Sequence, residues 1–205
     1  MSEQQVVLIM TGGRCGSIWL RYLYELHNGY YALSYDKNEI TIENGLIIAL
    51  DGTIPDKVVI HSHSVSYIPQ IDRTKLKILW VSRHNKFEQM MSFYVLDHVD
   101  QRIQVVTVDE NQSESDTKFE VSPSIILHGI ANIAEDEFLR YNTLMNGAYD
   151  YQRIYYEDLF SDKQEQIIQS LGLKKSQSVL PVKSQYQAKN LISNYQEIMR
   201  ELNVT

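Results

Sequence analysis

The stretch "VVLIMTGGRCGSIWL" (6–20) constrains the fold more than any other part of the chain. An unbroken apolar run with no polar alternation suits a strand buried on both faces of a parallel sheet, and it predicts one over Gln5 to Met10. Glycines stop the run. Beyond them Trp19, Leu20, Tyr22, Leu23 and Leu26 recur at helical spacing to about His27, with Ser17 as the expected N-cap. A strand that turns through glycines directly into a helix aims backbone amides and the positive end of a helix dipole at an anion. Gly12, Gly13 and Gly16 allow close approach of the backbone, Ser17 adds a hydroxyl and Arg14 adds a fixed cation.

The rest of the chain repeats the alternation. "KVVIHSH" (57–63) and "KLKILWVS" (75–82) read as further strands, rich in β-branched and large apolar residues, and a helix follows over about Lys86 to Val95. A long helix is expected from Ser124 to Met145, ending near Gly147, then a strand at "YQRIYY" (151–156). "SDKQEQIIQSLGL" reads as a helix capped by Ser161 and closed at Gly172, and "KNLISNYQEIMREL" as a final amphipathic helix. "RIQVVTV" and "KFEVS" flank the polar "DENQSESD", which suggests a hairpin or lid tip within 97–122. The expected fold class is α/β: three layers, with a central parallel β-sheet of four to five strands flanked by helices. With neither repeat nor linker, 205 residues read as a single domain spanning 1–205.

Charge and cysteine content narrow the function classes. A formal net charge of −7 argues against a nucleic-acid partner gripped by a broad basic surface, so an anion must be held by local cations and amides. The single cysteine, Cys15, excludes an internal disulfide and leaves too few thiolates for a cysteine zinc site. Its place in the turn invites a nucleophilic role, but no base is evident beside it and a small packed residue is the better reading. "MSEQQVVLIM" has no basic start, its apolar run is too short for a signal or membrane helix, and no later segment reaches spanning length. A cytoplasmic protein with no membrane span is expected.

The turn is not that of a nucleotide-hydrolysing P-loop, G-x-x-x-x-G-K-[ST]. Gly12 and Gly16 stand one residue too close, and Ser17 occupies the lysine position. "TGGRCGSIWL" instead resembles the 5′-phosphosulfate loop of sulfotransferases, in which a Lys or Arg, a small residue, Gly, hydroxyl residues and Trp follow one another. "KILWVSRHNKFEQMMSFY" (77–94) resembles the same family's 3′-phosphate motif, a strand ending in Arg with a Ser on the next helix. "YYEDL" (155–159) with the helix ending "LGL", and the tail "KNLISNYQEIMREL", are similar to the family's C-terminal segments. These matches occur in family order over about residues 5 to 202.

The resemblance implies a P-loop-like fold and the donor 3′-phosphoadenosine 5′-phosphosulfate (PAPS; product PAP). Paired histidines at 61 and 63 also suggest a metal, but no spaced carboxylate or third ligand accompanies them, so no metal is expected. The resemblance also implies transfer of the donor's sulfuryl group to a hydroxyl or amine of a carbohydrate or small-molecule acceptor. Carried over residue by residue, it assigns Gly12, Gly13, Arg14, Cys15, Gly16, Ser17, Ile18 and Trp19 to the 5′ side, with Trp19 against the adenine or in the core. It assigns Arg83 and Ser92 to the 3′-phosphate; Lys183, in the C-terminal segment, is a separate candidate contact to that phosphate. Ile18 departs from the pattern, standing where the family often has a second hydroxyl. Arg83 and Ser92 are nine residues apart, one more than in many cytosolic members, so His84 is the rival of Arg83. A kinase-like phosphotransferase and a non-catalytic nucleotide-binding module are the alternatives.

Sulfuryl transfer needs a base for the acceptor proton and stabilisation of charge on the departing phosphate. "VVIHSHSV" places His61 and His63 two residues apart, on one side of a strand. By resemblance His63 aligns with the family's base, His61 replaces a lysine, and the twenty residues from His63 to Arg83 match the family interval. Glu25 is the rival base, since carbohydrate-directed members often use a glutamate. Arg14 is the candidate for the developing charge. Glu157 and Asp158 read as structural, bonding backbone at the next helix start. The acceptor pocket is expected in 28–56 and 97–122, where Tyr24, Tyr30, Tyr31 and Tyr35 offer either an aromatic wall or core packing.

Overall fold

The computed structural model describes residues 4–34, 40–98, 118, 120–174 and 188–204. They form two compact units, one from Met1–His84 with Glu137–Pro181, the other from Asn85–Asp136 with Val182–Thr205.

The first unit holds the sheet. Its elements in chain order are β1 (Gln5–Thr11), α1 (Ser17–Asn28), β2 (Tyr31–Ser34), β3 (Ile40–Glu43), β4 (Leu46–Ala49), β5 (Lys57–Ser62) and β6 (Leu76–Ser82). Five strands, the last being β7 (Tyr151–Tyr155), pair in the order β2-β5-β1-β6-β7, and every pairing is parallel. The α/β class with a central parallel sheet flanked by helices is therefore observed. β1 lies at the centre and is buried along its length after Gln5, as its unbroken apolar sequence requires.

Strand alternation sends Val6, Leu8 and Met10 to one face and Val7 and Ile9 to the other. The first face is covered by Ile47 of β4, Tyr67, Ile68 and Ile71 of the segment after β5, and Leu144. Trp19, Leu20, Leu23 and Tyr24 of α1 cover the second, with Ile168 of α4 (Gln164–Ser170) and Leu159 of the 3₁₀ turn Tyr156–Phe160.

Two features of the region 28–56, read from the sequence as acceptor loops, are regular structure. β2 is an edge strand, and β3 and β4 form a separate antiparallel hairpin. The hairpin turn is Asn44-Gly45, with φ of 51° and 77°. "ITIENGLIIA" carries the Asn-Gly signal between apolar strands in plain view.

The second unit contains α2 (Lys86–His98), the first part of α3 (Pro123–Asn146), α5 (Ala188–Leu191) and α6 (Tyr195–Glu201). Phe87, Met91, Val95, Ile126, Ile192 and Ile198 belong to its core. Asn85 Oδ1 accepts from Glu88 N–H at 2.9 Å and so caps α2. The tail expected as one helix is broken between α5 and α6. Asn194 turns its side-chain amide onto Val121, accepting from its N–H at 3.1 Å and donating to its carbonyl at 2.9 Å. That tertiary pair competes with helix continuation at a residue of modest helix propensity.

Two capping expectations also change. α1 is preceded by Gly16 in the left-handed region, and Ser17 is the first helical residue with no capping bond. α4 has Lys163 at its N-cap position, while Ser161 Oγ accepts from Lys163 N–H at 3.2 Å one turn earlier. The expected lid tip "DENQSESD" lies outside the described residues. No helix among the described residues is long and apolar enough to cross a membrane.

Candidate functional site

The chain leaves β1 through α1 towards β2 and β5, whereas after β6 it returns as β7 on the opposite side. Adjacent parallel strands whose connections diverge in this way leave a crevice beyond their carboxyl ends, where α/β sheets take ligands. The glycine turn follows β1 there, His61 and His63 stand at the end of β5, Arg83 follows β6, and Tyr156 follows β7.

The turn is tightly specified. Gly13, Arg14 and Gly16 have φ of 80°, 53° and 73°, so a non-glycine residue is held in the left-handed region between two glycines. Gly13 N–H donates to Thr11 Oγ1 at 3.1 Å, and the buried Cys15 thiol donates to the Gly13 carbonyl at 3.0 Å. Gly13's amide is thus used inside the turn, and Cys15 is a brace, shut away from solvent. The amides of Gly16, Ser17 and Ile18 make no hydrogen bond among the described residues, as the first turn of a helix requires. Ile18 supplies no hydroxyl and its side chain is exposed, but its amide is one of these three.

Tyr156 packs the turn from the β7 side. A Cβ placed on Gly16 would lie 3.1 Å from Leu159 Cδ1 and 3.2 Å from Tyr156 Cδ2. Gly16→Ala should therefore cost more stability than Gly29→Ala, which meets the same left-handed penalty at φ 68° with nothing within 4 Å. The shared penalty is about 1–2 kcal/mol. Thermal unfolding of both variants measures the difference, and equal losses would show that Tyr156 and Leu159 yield freely.

The cations converge on the same tyrosine. The Arg83 guanidinium lies over the Tyr156 ring at 4.6 Å, and Arg83 Nε stands 3.8 Å from Glu157 Oε1. Burial pulls the Arg14 guanidinium below its ordinary pKa; of its charged neighbours, Tyr156 opposes that shift and Arg83 adds to it. Burial raises the Tyr156 phenol, and Arg83 and Arg14 oppose that shift. Two guanidiniums with a mutual electrostatic influence, beside a turn with three unbonded amides, form a setting that an anion would relieve.

His61 and His63 meet edge to face at 5.1 Å between ring centres. His61 Nε2 and Ser17 Oγ share a hydrogen bond of 2.9 Å, tying β5 to the first residue of α1. His63 is exposed, and its carbonyl accepts from Arg140 Nη2 at 3.1 Å. Ser62 and Ser64 turn the backbone around it: Ser62 Oγ accepts from Ser64 N–H at 3.0 Å. The imidazole at 63 therefore stands just beyond the last residue of β5, exposed and on a fixed backbone.

Trp19 is 7% exposed and belongs to the core beneath α1. Glu25 lines a separate cleft, facing Arg21 at 3.9 Å. His84 stacks on Tyr155 at 3.6 Å and its N–H donates to the Glu157 carboxylate at 3.1 Å. Glu157 thus bonds backbone after β6, not at the helix that follows it. Asp158 instead accepts from Lys163 Nζ at 2.9 Å. Ser92 stands half-buried on α2 in the second unit, and Lys183 lies outside the described residues. Tyr156, Thr11 and Arg140 were not singled out in the sequence; only the position of "YYEDL" directly after a strand hinted at the first.

Neither a model of a known protein family nor a curated protein matches the chain.

Proposed function

We propose that the chain is a sulfotransferase that moves the sulfuryl group of PAPS to a hydroxyl of a carbohydrate or small molecule. The observation that carries this reading is the joining of Arg14, Arg83 and Tyr156 at a lysine-free glycine turn, with a histidine pair at the neighbouring strand end. Three unbonded amides and two guanidiniums suit a ligand with more than one anionic group. When bound, the donor supplies the sulfuryl group and a phosphate leaving group.

The residues then divide the work. The acceptor oxygen forms a bond to sulfur while the bond from sulfur to the bridging phosphate oxygen breaks, and His63 takes the acceptor's proton. Arg14 faces the negative charge that grows on the departing oxygen. Arg83 holds the 3′-phosphate. His61, through Ser17, keeps the first residue of α1 in place.

Adenosine 3′,5′-bisphosphate is expected to raise the melting temperature in proportion to its binding, whereas ATP and AMP raise it little. The shift should shrink with added salt, because the contacts are charge-assisted on an acidic protein. Equal stabilisation by ATP would reject the donor assignment and favour a phosphotransferase.

A further inference from the structure

A cleft of about 540 Å³ runs between α1 and the edge strand β2. Arg21 and Glu25 of α1 line it with Tyr30, Tyr31, Leu50 and Asp51, and none of residues 12–17, His61, His63 or Arg83 does. Its size falls within the range of small-ligand sites. We infer that this cleft binds a neutral, hydroxyl-rich ring compound, a saccharide in chemical class.

The lining selects that class by its balance of donors and acceptors. Arg21 can only donate, and the Glu25 and Asp51 carboxylates can only accept. Arg21 Nε and Glu25 Oε2 stand 3.9 Å apart, too far for a hydrogen bond, and neither has another partner among the described residues. Among the described residues β2 pairs only with β5, and its outer edge there offers backbone N–H and C=O groups along the cleft. Beside these polar groups stand exposed apolar surfaces, Tyr31 at 42% and Leu50 at 74%.

Each candidate class meets this lining differently. An anion would face two carboxylates for one guanidinium. A purely apolar ligand would cover three charged side chains without bonding them. An extended peptide could pair with β2, but four residues offer only a short ladder. Asp51 Oδ1 already accepts from Thr53 N–H at 2.9 Å. Hydroxyl groups both donate and accept, so a ring with several of them satisfies Arg21, Glu25 and the strand edge together, while its C–H face covers Tyr31 and Leu50. Ser17, Arg21 and Glu25 follow at four-residue steps on one face of α1, so the cleft begins about 6 Å along the helix from the glycine turn. The saccharide site stands on the cleft alone; only its identification with the group acceptor rests on the proposed transfer reaction.

The test is ligand-observed saturation-transfer NMR on the full chain, with amide shifts read in parallel and no nucleotide present. The probes are maltose, lactose, cellobiose and chitobiose as neutral sugars, glucosamine as an amine, and glucose 6-phosphate as an anion. A capped, uncharged tetrapeptide of valine and threonine is the strand probe. At least one neutral disaccharide should bind with a Kd of roughly 1 mM or tighter and shift the amides of Tyr31 to Leu33 and of Leu50 and Asp51. Tyr31→Ala and Leu50→Ser, both at exposed positions, should each weaken it about tenfold. Absence of neutral-sugar binding, tighter binding of the amine, the phosphate or the peptide, or binding indifferent to both variants would overturn the inference. A separate titration with adenosine 3′,5′-bisphosphate reads the transfer proposal independently, so the two can fail separately.

Discussion

Replacing His63 by alanine is expected to lower kcat by roughly 10²-fold or more while leaving nucleotide affinity unchanged. The imidazole stands just beyond the carboxyl end of β5, exposed, on a backbone fixed by Arg140 and the Ser62–Ser64 turn. It can reach a ligand at the strand ends without any change of fold, and truncating an exposed side chain removes no core packing. His61 behaves differently because its Nε2 is bonded to Ser17 Oγ at 2.9 Å. His61→Ala should raise the Kd for adenosine 3′,5′-bisphosphate by a modest factor and lower kcat less than His63→Ala does. Glu25→Gln is the control, since a carboxylate base would reverse the ranking. Glu25 faces Arg21 in the cleft beside β2, away from the residues that gather at the turn. Steady-state rates and equilibrium titrations on the three variants decide the matter. Near-normal turnover in His63→Ala together with loss in Glu25→Gln would move the base to the glutamate.

Arg83→Ala is expected to weaken binding of adenosine 3′,5′-bisphosphate by about 2 kcal/mol or more, a loss on the order of 30-fold. Adenosine 5′-phosphosulfate, which lacks the 3′-phosphate, should lose little. The guanidinium lies over Tyr156 and 3.8 Å from Glu157, so the substitution also removes a ring contact and one neighbour of that carboxylate. Glu157 keeps the His84 N–H, which limits the structural cost, and the melting temperature of the unliganded variant reports what remains. Calorimetric titration with both nucleotides is the measurement. Equal losses for the two would mean that Arg14 and Arg83 share one phosphate, a result their mutual electrostatic influence makes worth testing. A loss for neither would leave Arg83 as packing for Tyr156.

Local order made some of this legible in the residues alone. An apolar run such as "VVLIM" leaves a strand no exposed face, so β1 must be central in a parallel sheet, and the glycines after it must turn the chain into α1. β5 and β6 followed by the same logic, because burial on both faces imposes a composition that short windows reveal. The hairpin β3–β4 was equally open to reading, through Asn44-Gly45, whose paired positive φ values only a few residue types accept readily. His61, His63 and Arg83 could be named because each ends or directly follows a strand, where side chains leave the core, and Arg14 because it sits in the glycine turn after β1.

Long-range partnerships decided the rest. Ser17 has the chemistry of a cap, yet Gly16 precedes the helix in the left-handed region and the hydroxyl goes instead to His61, forty-four residues away. The tail has the periodicity of one helix, yet Asn194 exchanges that continuity for two bonds to Val121, seventy-three residues away. Tyr156 gave no local signal as a neighbour of Gly16 and Arg83, because sequence spacing does not encode which loop ends meet above a sheet. Periodicity determines which face of an element is buried; only the packed sheet determines which side chain of one strand end stands against the backbone of another.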